Sequence, residues 1–362
     1  MNVASLDRNM DVESTISRAG LTYLDIDEKP FRIYGIWRDG DYYSRIPSAV
    51  CGVFDKSLTP EERASRYNKS STAGGRVRFV TDSPYVAVNV KLDEVYQYTT
   101  MSVTATCGLD IYADGVYAGT YRTPIDLKDG WFESVVDLGV VKSREICINL
   151  PLYCNVEKMY VGVHGDCDIS EAPDYKYEKP ILFYGSSITH GACSSRPGMS
   201  YPAIVSRMLD ANYHNLGFGG CAKGEDEVAD YVASLDPSVF VYDYDYNAPN
   251  ATHLRATHEK MFLKFREKHP ETPVVMLTAP KVKCSGSWAE RRDIIKATYD
   301  KAVSRGDRNV YIIYGTEYFG EVGMDYTADG THPTDLGYYL MAQKIAPVVK
   351  TALESGKSGL EK

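Results

Sequence analysis

The sequence predicts an antiparallel β-sandwich of the jelly-roll kind followed by an α/β domain built on a parallel sheet with helices on both faces. Three observations carry this. From about residue 31 to 163 the hydropathy pattern alternates: Val86, Val88, Val90 and Leu92 share one face of a strand, while Ala87, Asn89 and Lys91 share the other. Beyond residue 180 short apolar runs alternate with helical stretches, the pattern of a parallel sheet. Between the two lies a polar, proline-containing connector, Glu171-Ala172-Pro173-Asp174-Tyr175-Lys176-Tyr177-Glu178-Lys179-Pro180. A chain of 362 residues is long enough to bury a core in each part.

Residues 1–30 are read as an N-terminal extension packing on the body, 31–170 as the sandwich, 171–180 as a linker and 181–362 as the second domain. In the sandwich, Asp114-Gly115 stands between two β-like runs, the dipeptide of a tight hairpin in which both central residues need positive φ. Further strands are expected at 76–81, 133–138, 145–150 and 158–163. In the second domain the expected strands are 181–184, 213–216, 239–243, 273–278 and 310–314. The expected helices are 201–209, 225–235, 254–268, 294–304 and 335–353. Leu254, Met261, Phe262 and Phe265 recur at helical spacing and read as a core-facing stripe. In such a fold functional groups collect at the carboxyl ends of the strands.

Composition narrows the partners. There are 49 acidic against 40 basic residues, a formal net charge of −9, which repels phosphate backbones and anionic lipid; no nucleic acid and no membrane partner is expected. No apolar run reaches the length of a membrane span, and residues 1–11 hold no signal-peptide core, so a cytoplasmic protein is expected, or a secreted one if a signal peptide has been removed. The eight cysteines include no Cys-x-x-Cys spacing. Cys107 and Cys147 fall in apolar runs and read as buried thiols, which argues for a reducing compartment and against a zinc cluster. The 29 Tyr, against 10 Phe and 3 Trp, read mainly as sheet packing.

Four segments carry chemistry. The first expected strand of the second domain runs into Gly185-Ser186-Ser187-Ile188-Thr189-His190, where a glycine turn puts a serine hydroxyl at the sheet edge; Ser186 or Ser187 can equally cap a helix. Asn215-Leu216-Gly217-Phe218-Gly219-Gly220 follows strand two, and Tyr242-Asp243-Tyr244-Asp245-Tyr246-Asn247 follows strand three. A loop glycine N–H and an asparagine amide are the donors an oxyanion needs. Before the last helix stands Asp329-Gly330-Thr331-His332, in which an Asp three residues ahead of a His can hold one imidazole nitrogen and leave the other for a serine; Asp335 reads as the cap of that helix.

These four segments resemble the blocks of the SGNH, or GDSL-type, hydrolases, which are esterases, acetylesterases and lipases on a flavodoxin-like three-layer α/β/α fold. The resemblance implies Ser187 as nucleophile, its N–H with Gly220 and Asn247 as oxyanion donors, His332 as base and Asp329 as its orienter, with no cofactor and no metal. The chain departs from the family pattern twice: Ser186 stands where Asp is usual, and Asp245-Tyr246-Asn247-Ala248 replaces Gly-x-Asn-Asp, which makes Asp245 a second polar candidate beside Asn247. The stretch 191–202 is similar to a subgroup that joins this domain to an N-terminal β-sandwich and includes carbohydrate esterases. That implies removal of acetyl or other short acyl groups from a small-molecule or oligosaccharide ester. A lipase or thioesterase, and a non-catalytic carbohydrate-binding protein with a relic esterase half, are the alternatives.

Several residues have two readings. Arg196 could clamp a substrate oxygen or tie its own loop to a carboxylate. Trp37, Tyr42, Tyr43 and Trp131 could stack on sugar rings or fill the core of the sandwich. Cys193 and Cys221 are read as packing residues.

Overall fold

The computed structural model describes residues 12, 14–51, 71–95, 97–127 and 129–355. The chain divides into two compact units. One comprises Met1–Arg45, Ser70–Pro173 and Ser195–Gly198, and the other Ile46–Lys69, Asp174–Ser194 and Met199–Lys362.

The first unit is an antiparallel sandwich. Its strands are β1 (Leu21–Asp25), β2 (Arg32–Tyr34), β3 (Trp37–Asp39), β4 (Tyr42–Ser44), β5 (Arg76–Thr81), β6 (Tyr85–Leu92), β7 (Leu109–Ala113), β8 (Val116–Tyr121), β9 (Trp131–Asp137), β10 (Arg144–Asn149), β11 (Val156–His164) and β12 (Ile169–Ser170). One sheet has the order β1-β11-β6-β9; the other has β12-β5-β10-β7-β8 with β2 also on β5; β3 and β4 form a ribbon. The alternating faces read from the sequence meet in one core, where Val86, Val88 and Val90 of β6 pack with Val77 and Phe79 of β5 and with Ile146 and Ile148 of β10. The Asp114-Gly115 hairpin forms as expected, with both residues at positive φ.

Two expectations for this unit need correction. Residues 1–11 of the expected N-terminal extension lie outside the described residues, but Leu21–Asp25 is an edge strand of the sandwich, paired with β11 from Leu21↔His164 to Asp25↔Tyr160. A five-residue edge strand with a charged end shows too little alternation to read alone. Cys107 is not a thiol: it is joined to Cys154, with Cα atoms 4.9 Å apart, inside the usual span for a disulfide. Sequence separation hid that pairing, because the two cysteines stand 47 positions apart with four strands between them.

The second unit has a five-stranded, wholly parallel sheet made of β13 (Tyr177–Gly185), β14 (Ala211–Gly217), β15 (Val239–Asp243), β16 (Val274–Leu277) and β17 (Val310–Ile313), in the order β14-β13-β15-β16-β17. Six helices are used below: α1 (Ser187–His190), α2 (Tyr201–Leu209), α3 (Asp226–Ser234), α4 (Ala251–Lys268), α5 (Ser287–Ser304) and α6 (Asp335–Ser355). Both faces of the sheet are apolar because both are covered. Leu182, Tyr184, Phe240 and Met276 pack under α3, α4 and α5, whereas Ile181, Phe183, Val241 and Val275 pack under α2 and α6. The expected stripe Leu254, Met261, Phe262 and Phe265 is buried in the first of these cores. β13 begins inside the stretch read as a linker. Its polar first turn, paired at Tyr177↔Ala211 before a register shift to Ile181↔Tyr213, carries no apolar run to mark it.

The carboxyl end of β13 is packed very tightly. A Cβ on Gly185 would lie 2.1 Å from the Asp243 carbonyl oxygen and 2.1 Å from Thr189 Oγ1, so only glycine fits. The Asp243 carboxyl, at the end of β15, is buried and accepts from Thr189 Oγ1 at 3.0 Å and from the Tyr201 hydroxyl at 3.2 Å. Burial raises its pKa, and these two neutral donors recover only part of the lost hydration, so it is pushed up to about 6. A carboxyl whose folded pKa lies above its unfolded one binds more protons when folded. It therefore stabilises the fold below about pH 4 and loses that contribution as pH rises through 6. Asp243→Asn should remove this loss: from pH 5 to pH 8 the stability difference should move in the variant's favour by roughly 1–2 kcal/mol, read from urea midpoints of both proteins. A difference that stays constant across that range would show that the carboxyl ionises as freely in the folded chain as in the unfolded one.

Candidate active site

Ser187 owes its position to the residue before it. Ser186 follows β13 in extended conformation and is the N-cap of α1: its Oγ accepts from the Ile188 N–H at 3.2 Å, and its side chain is wholly buried. The cap thus uses Ser186 and leaves the Ser187 hydroxyl, at the first helical position and partly exposed, for other partners. Gly191, at φ 109, closes the single turn with its N–H on the Ser187 and Ile188 carbonyls.

Asp329 and His332 lie on the loop before α6. Ala328 N–H donates to the His332 carbonyl at 2.9 Å and closes the loop on itself. The Asp329 carboxylate accepts from the His332 N–H at 2.8 Å, from the Thr331 N–H at 3.0 Å and from the His332 ring at 2.7 Å. Burial pushes the Asp329 pKa up, but these donors outweigh it and hold the carboxyl below the usual range, so the group is an anion across the neutral range. An anion only accepts, so His332 Nδ1 carries the proton and Nε2 presents its lone pair. Nε2 lies 2.8 Å from Ser187 Oγ, which donates to it. Three side chains separated by up to 145 residues form one chain of hydrogen bonds: serine to imidazole to carboxylate.

The other expected site residues divide. Gly220 stands exposed on the loop after β14, at φ +71. Asn247 follows β15, and its Nδ2 donates at 2.7 Å to the Phe218 carbonyl of that same β14 loop. Asp245 does not join them. It is buried, and its Oδ2 accepts from the Ala279 N–H at 2.8 Å, which ties the loop after β16 to the turn after β15; burial and the neighbouring Asp243 push its pKa up to about 7. Arg196 also has a structural partner. It belongs to the short segment counted with the sandwich, where its Nε lies 3.3 Å from the wholly buried Asp110 carboxylate and its guanidinium sits 4.1 Å over the Tyr117 ring. The Gly198 N–H and Asn149 Nδ2 also donate to Asp110, at 2.9 and 2.8 Å. Of its two readings, the loop tie is the one seen.

Among the sandwich aromatics Tyr43 is buried, with its hydroxyl donating to Asp27, whereas Trp37, Tyr42 and Trp131 are more than a third exposed. Asp335 is the first residue of α6 rather than its cap, so its charge sits in the first turn, where the helix dipole favours an anion. Cys221 is core packing, as expected. Cys193 is placed differently, on the loop after α1 and close to Asp329 and His332. An apolar-lined cleft of about 490 Å³, lined by Tyr177, Lys179, Ser238 and Pro273, opens at the amino ends of the strands, away from the serine.

Sequence reading passed over the supports beneath Ser187. Thr189, Tyr201, Asn215 and Asp243 are buried polar residues that hold α1 in place, and a buried polar side chain inside an apolar stretch is the only signal that could have marked them.

Among the described residues no helix is long and apolar enough to cross a membrane. Residues 178–350 match the model of the GDSL-like lipase/acylhydrolase family, and residues 21–169 match that of the N-terminal domain of SGNH-hydrolase-type esterases. No curated protein matches the chain. Among solved structures the chain is similar to a protein from Bacteroides ovatus described as a GDSL-like lipase, at 28% identity and a TM-score of 0.79 over 92% of this chain and 98% of that one. It is also similar to the salicylyl-acyltransferase SsfX3 of a tetracycline biosynthetic pathway, at 19% identity and a TM-score of 0.73 over 90% and 96% of the two chains. A third is the acetyl xylan esterase Est2A of the rumen bacterium Butyrivibrio proteoclasticus, at 13% identity and a TM-score of 0.61 over 93% and 99%. The last two likenesses are of fold. The second domain thus belongs to the GDSL-like lipase/acylhydrolase family, and, with the N-terminal domain of SGNH-hydrolase-type esterases ahead of it in sequence, the protein is an ester hydrolase of the SGNH type.

Proposed function

We propose that the protein is a serine esterase that removes acetyl or other short acyl groups from a carbohydrate through an acyl-enzyme. The observation that carries this reading is the hydrogen-bonded chain Ser187–His332–Asp329, with distances of 2.8 and 2.7 Å. As Ser187 Oγ attacks the ester carbonyl, its proton passes to His332 Nε2, and the anionic Asp329 stabilises the imidazolium that forms. The carbonyl oxygen becomes an oxyanion, received by the Ser187 N–H, the Gly220 N–H and the Asn247 amide. The imidazolium then protonates the leaving sugar hydroxyl. Water, deprotonated by the same Nε2, releases the acid and restores the serine.

The carbohydrate half of the proposal draws on the resemblance of the 191–202 stretch to a subgroup that includes carbohydrate esterases, and on the fold shared with the acetyl xylan esterase. Ser187→Ala should lower kcat on a chromogenic acetate by at least about a thousandfold and abolish fluorophosphonate labelling. Asp329→Asn should leave Ser187 in place but lose kcat on the order of ten-thousandfold, because the amide no longer fixes the imidazole tautomer. Near-normal turnover in either variant would place the chemistry elsewhere. Asn247→Ala should cost about a hundred- to a thousandfold in kcat with little change in KM, since it removes a donor that acts on the transition state. A screen of acetylated mono-, oligo- and polysaccharides against acyl esters of increasing chain length, with Ser187→Ala as control, tests the substrate. Preference for long acyl chains would replace this reading with a lipase or thioesterase.

A further inference from the structure

The loop after α1 brings a soft ligand to the candidate active site. Cys193 Sγ, a ring nitrogen of His332 and a carboxylate oxygen of Asp329 all lie within 4.8 Å of one another. Cys193 is only partly buried, and the His332 and Asp329 side chains are each about a quarter exposed, so a small ion reaches all three from solvent. The thiol is also held in place. The loop is fixed by Ala192 N–H on the Ser187 carbonyl at 2.9 Å, by the Tyr338 hydroxyl on the Ala192 carbonyl at 2.7 Å and by Ser194 Oγ on the Gly191 carbonyl at 2.8 Å. Cys193 itself sits at φ 66, a left-handed conformation that a non-glycine residue adopts only at a cost. The loop bonds thus over-determine a strained position whose effect is to keep a sulfur beside the imidazole.

From this geometry we infer that Cys193, His332 and Asp329 form an inhibitory site for a zinc-type divalent cation. Sulfur, imidazole nitrogen and carboxylate oxygen are the donors that Zn²⁺ takes, whereas Mg²⁺ and Ca²⁺ take oxygen. Zn–S near 2.3 Å and Zn–N or Zn–O near 2.0–2.1 Å in a tetrahedron put ligand atoms roughly 3.5 Å apart, so Cys193 Sγ moves inward by about 1 Å, the 2.7 Å contact between His332 Nδ1 and Asp329 opens, and water fills the fourth position. Cys193 releases its thiol proton to solvent as Sγ takes the metal. The ion is held at His332 Nδ1, the ring nitrogen that faces Asp329; the Nδ1 proton passes to Nε2, which can then no longer receive the Ser187 proton, and the Asp329 hydrogen bond is lost. This stops the ester chemistry, so the inhibitory consequence rests on the proposed function; metal binding itself does not.

The test is a titration with buffered free Zn²⁺ of the metal-stripped wild type, Cys193→Ser and Cys193→Gly, read by equilibrium dialysis and by hydrolysis of a chromogenic acetate. Glycine is included because it adopts the left-handed backbone without strain. Wild type should bind one equivalent and lose hydrolysis over the same zinc range, with recovery on adding EDTA. Both variants should keep metal-free hydrolysis within about twofold, yet need at least about tenfold more zinc for inhibition, since loss of even an outer-shell partner of a ligand costs about that much. Mg²⁺ should neither bind nor inhibit. Equal zinc sensitivity in all three proteins, or a wild type that binds no zinc, overturns the site. If no ester is hydrolysed by any of them, the proposed function fails while dialysis still decides the metal site.

Discussion

The site depends on how the end of β13 is clasped by its two neighbours. A helix of four residues has no stability of its own, because one turn fixes several dihedral angles for a single hydrogen bond. α1 exists only because other groups hold it. On one side the Ser186 N–H donates to the Asp243 carbonyl at 3.0 Å, and Thr189 Oγ1 donates to the Asp243 carboxyl. On the other, Asn215 Nδ2 donates to the Thr189 carbonyl at 3.0 Å, and Phe218 N–H donates to the Gly185 carbonyl at 2.9 Å. Gly185 lets β15 approach this closely and Gly217 does the same for α1; a Cβ on Gly217 would lie 2.2 Å from the His190 nitrogen. A shift of either neighbour would carry Ser187 with it, and a displacement of about 1 Å is enough to spoil a nucleophile's alignment.

The acid and base make the opposite demand. Asp329 and His332 are three residues apart, so most of their geometry is local: two backbone N–H groups and one ring nitrogen converge on a single carboxylate. The loop needs the fold only for its attachment to α6, which the sheet holds by burying Tyr338, Met341, Ile345 and Val349 against the α2 side. One half of the site is thus a self-contained loop on a well-buried helix, and the other is a helical turn spread across three strands. The 2.8 Å contact between Ser187 and His332 is where the two meet.

This division explains what could be read from the sequence. Strands β13 to β17 and helices α2 to α6 announce themselves through apolar runs and helical spacing, and the Asp-x-x-His loop is legible because its partners are neighbours in the chain. Features made by distant residues are not. The beginning of β13 is polar and is recruited by pairing with β14; β1 is fixed only by β11; Cys154 finds Cys107 through the folded sandwich. Asp245 and Asn247 are two residues apart and share a parity along the chain, so alternation could not separate them. The turn that follows β15 does, sending the carboxyl inward to the Ala279 N–H and the amide to the Phe218 carbonyl. Cys193 was hidden for the same reason, since its nearness to His332 arises from a loop fold rather than from spacing.

The abundance of Tyr over Phe also acquires a physical reason. A buried phenylalanine contributes packing area alone, whereas a buried tyrosine adds a hydroxyl that must be satisfied and can therefore hold a loop. Tyr184 lies in the core beside Tyr242 and accepts from the Gly224 N–H at 3.0 Å, fixing the loop that follows β14. Tyr242 donates to the His258 carbonyl within α4 at 2.7 Å. Tyr326 donates to the Pro280 carbonyl at 2.9 Å, and Tyr338 to the Ala192 carbonyl at 2.7 Å beside the nucleophile's own turn. Three of these four hydroxyls fasten loops, the parts of a parallel-sheet enzyme that carry function but have the fewest backbone bonds of their own. Tyrosine thus lets one residue fill the core and brace a loop, and the brace at Ala192 is the one that fixes the turn between Ser187 and Cys193.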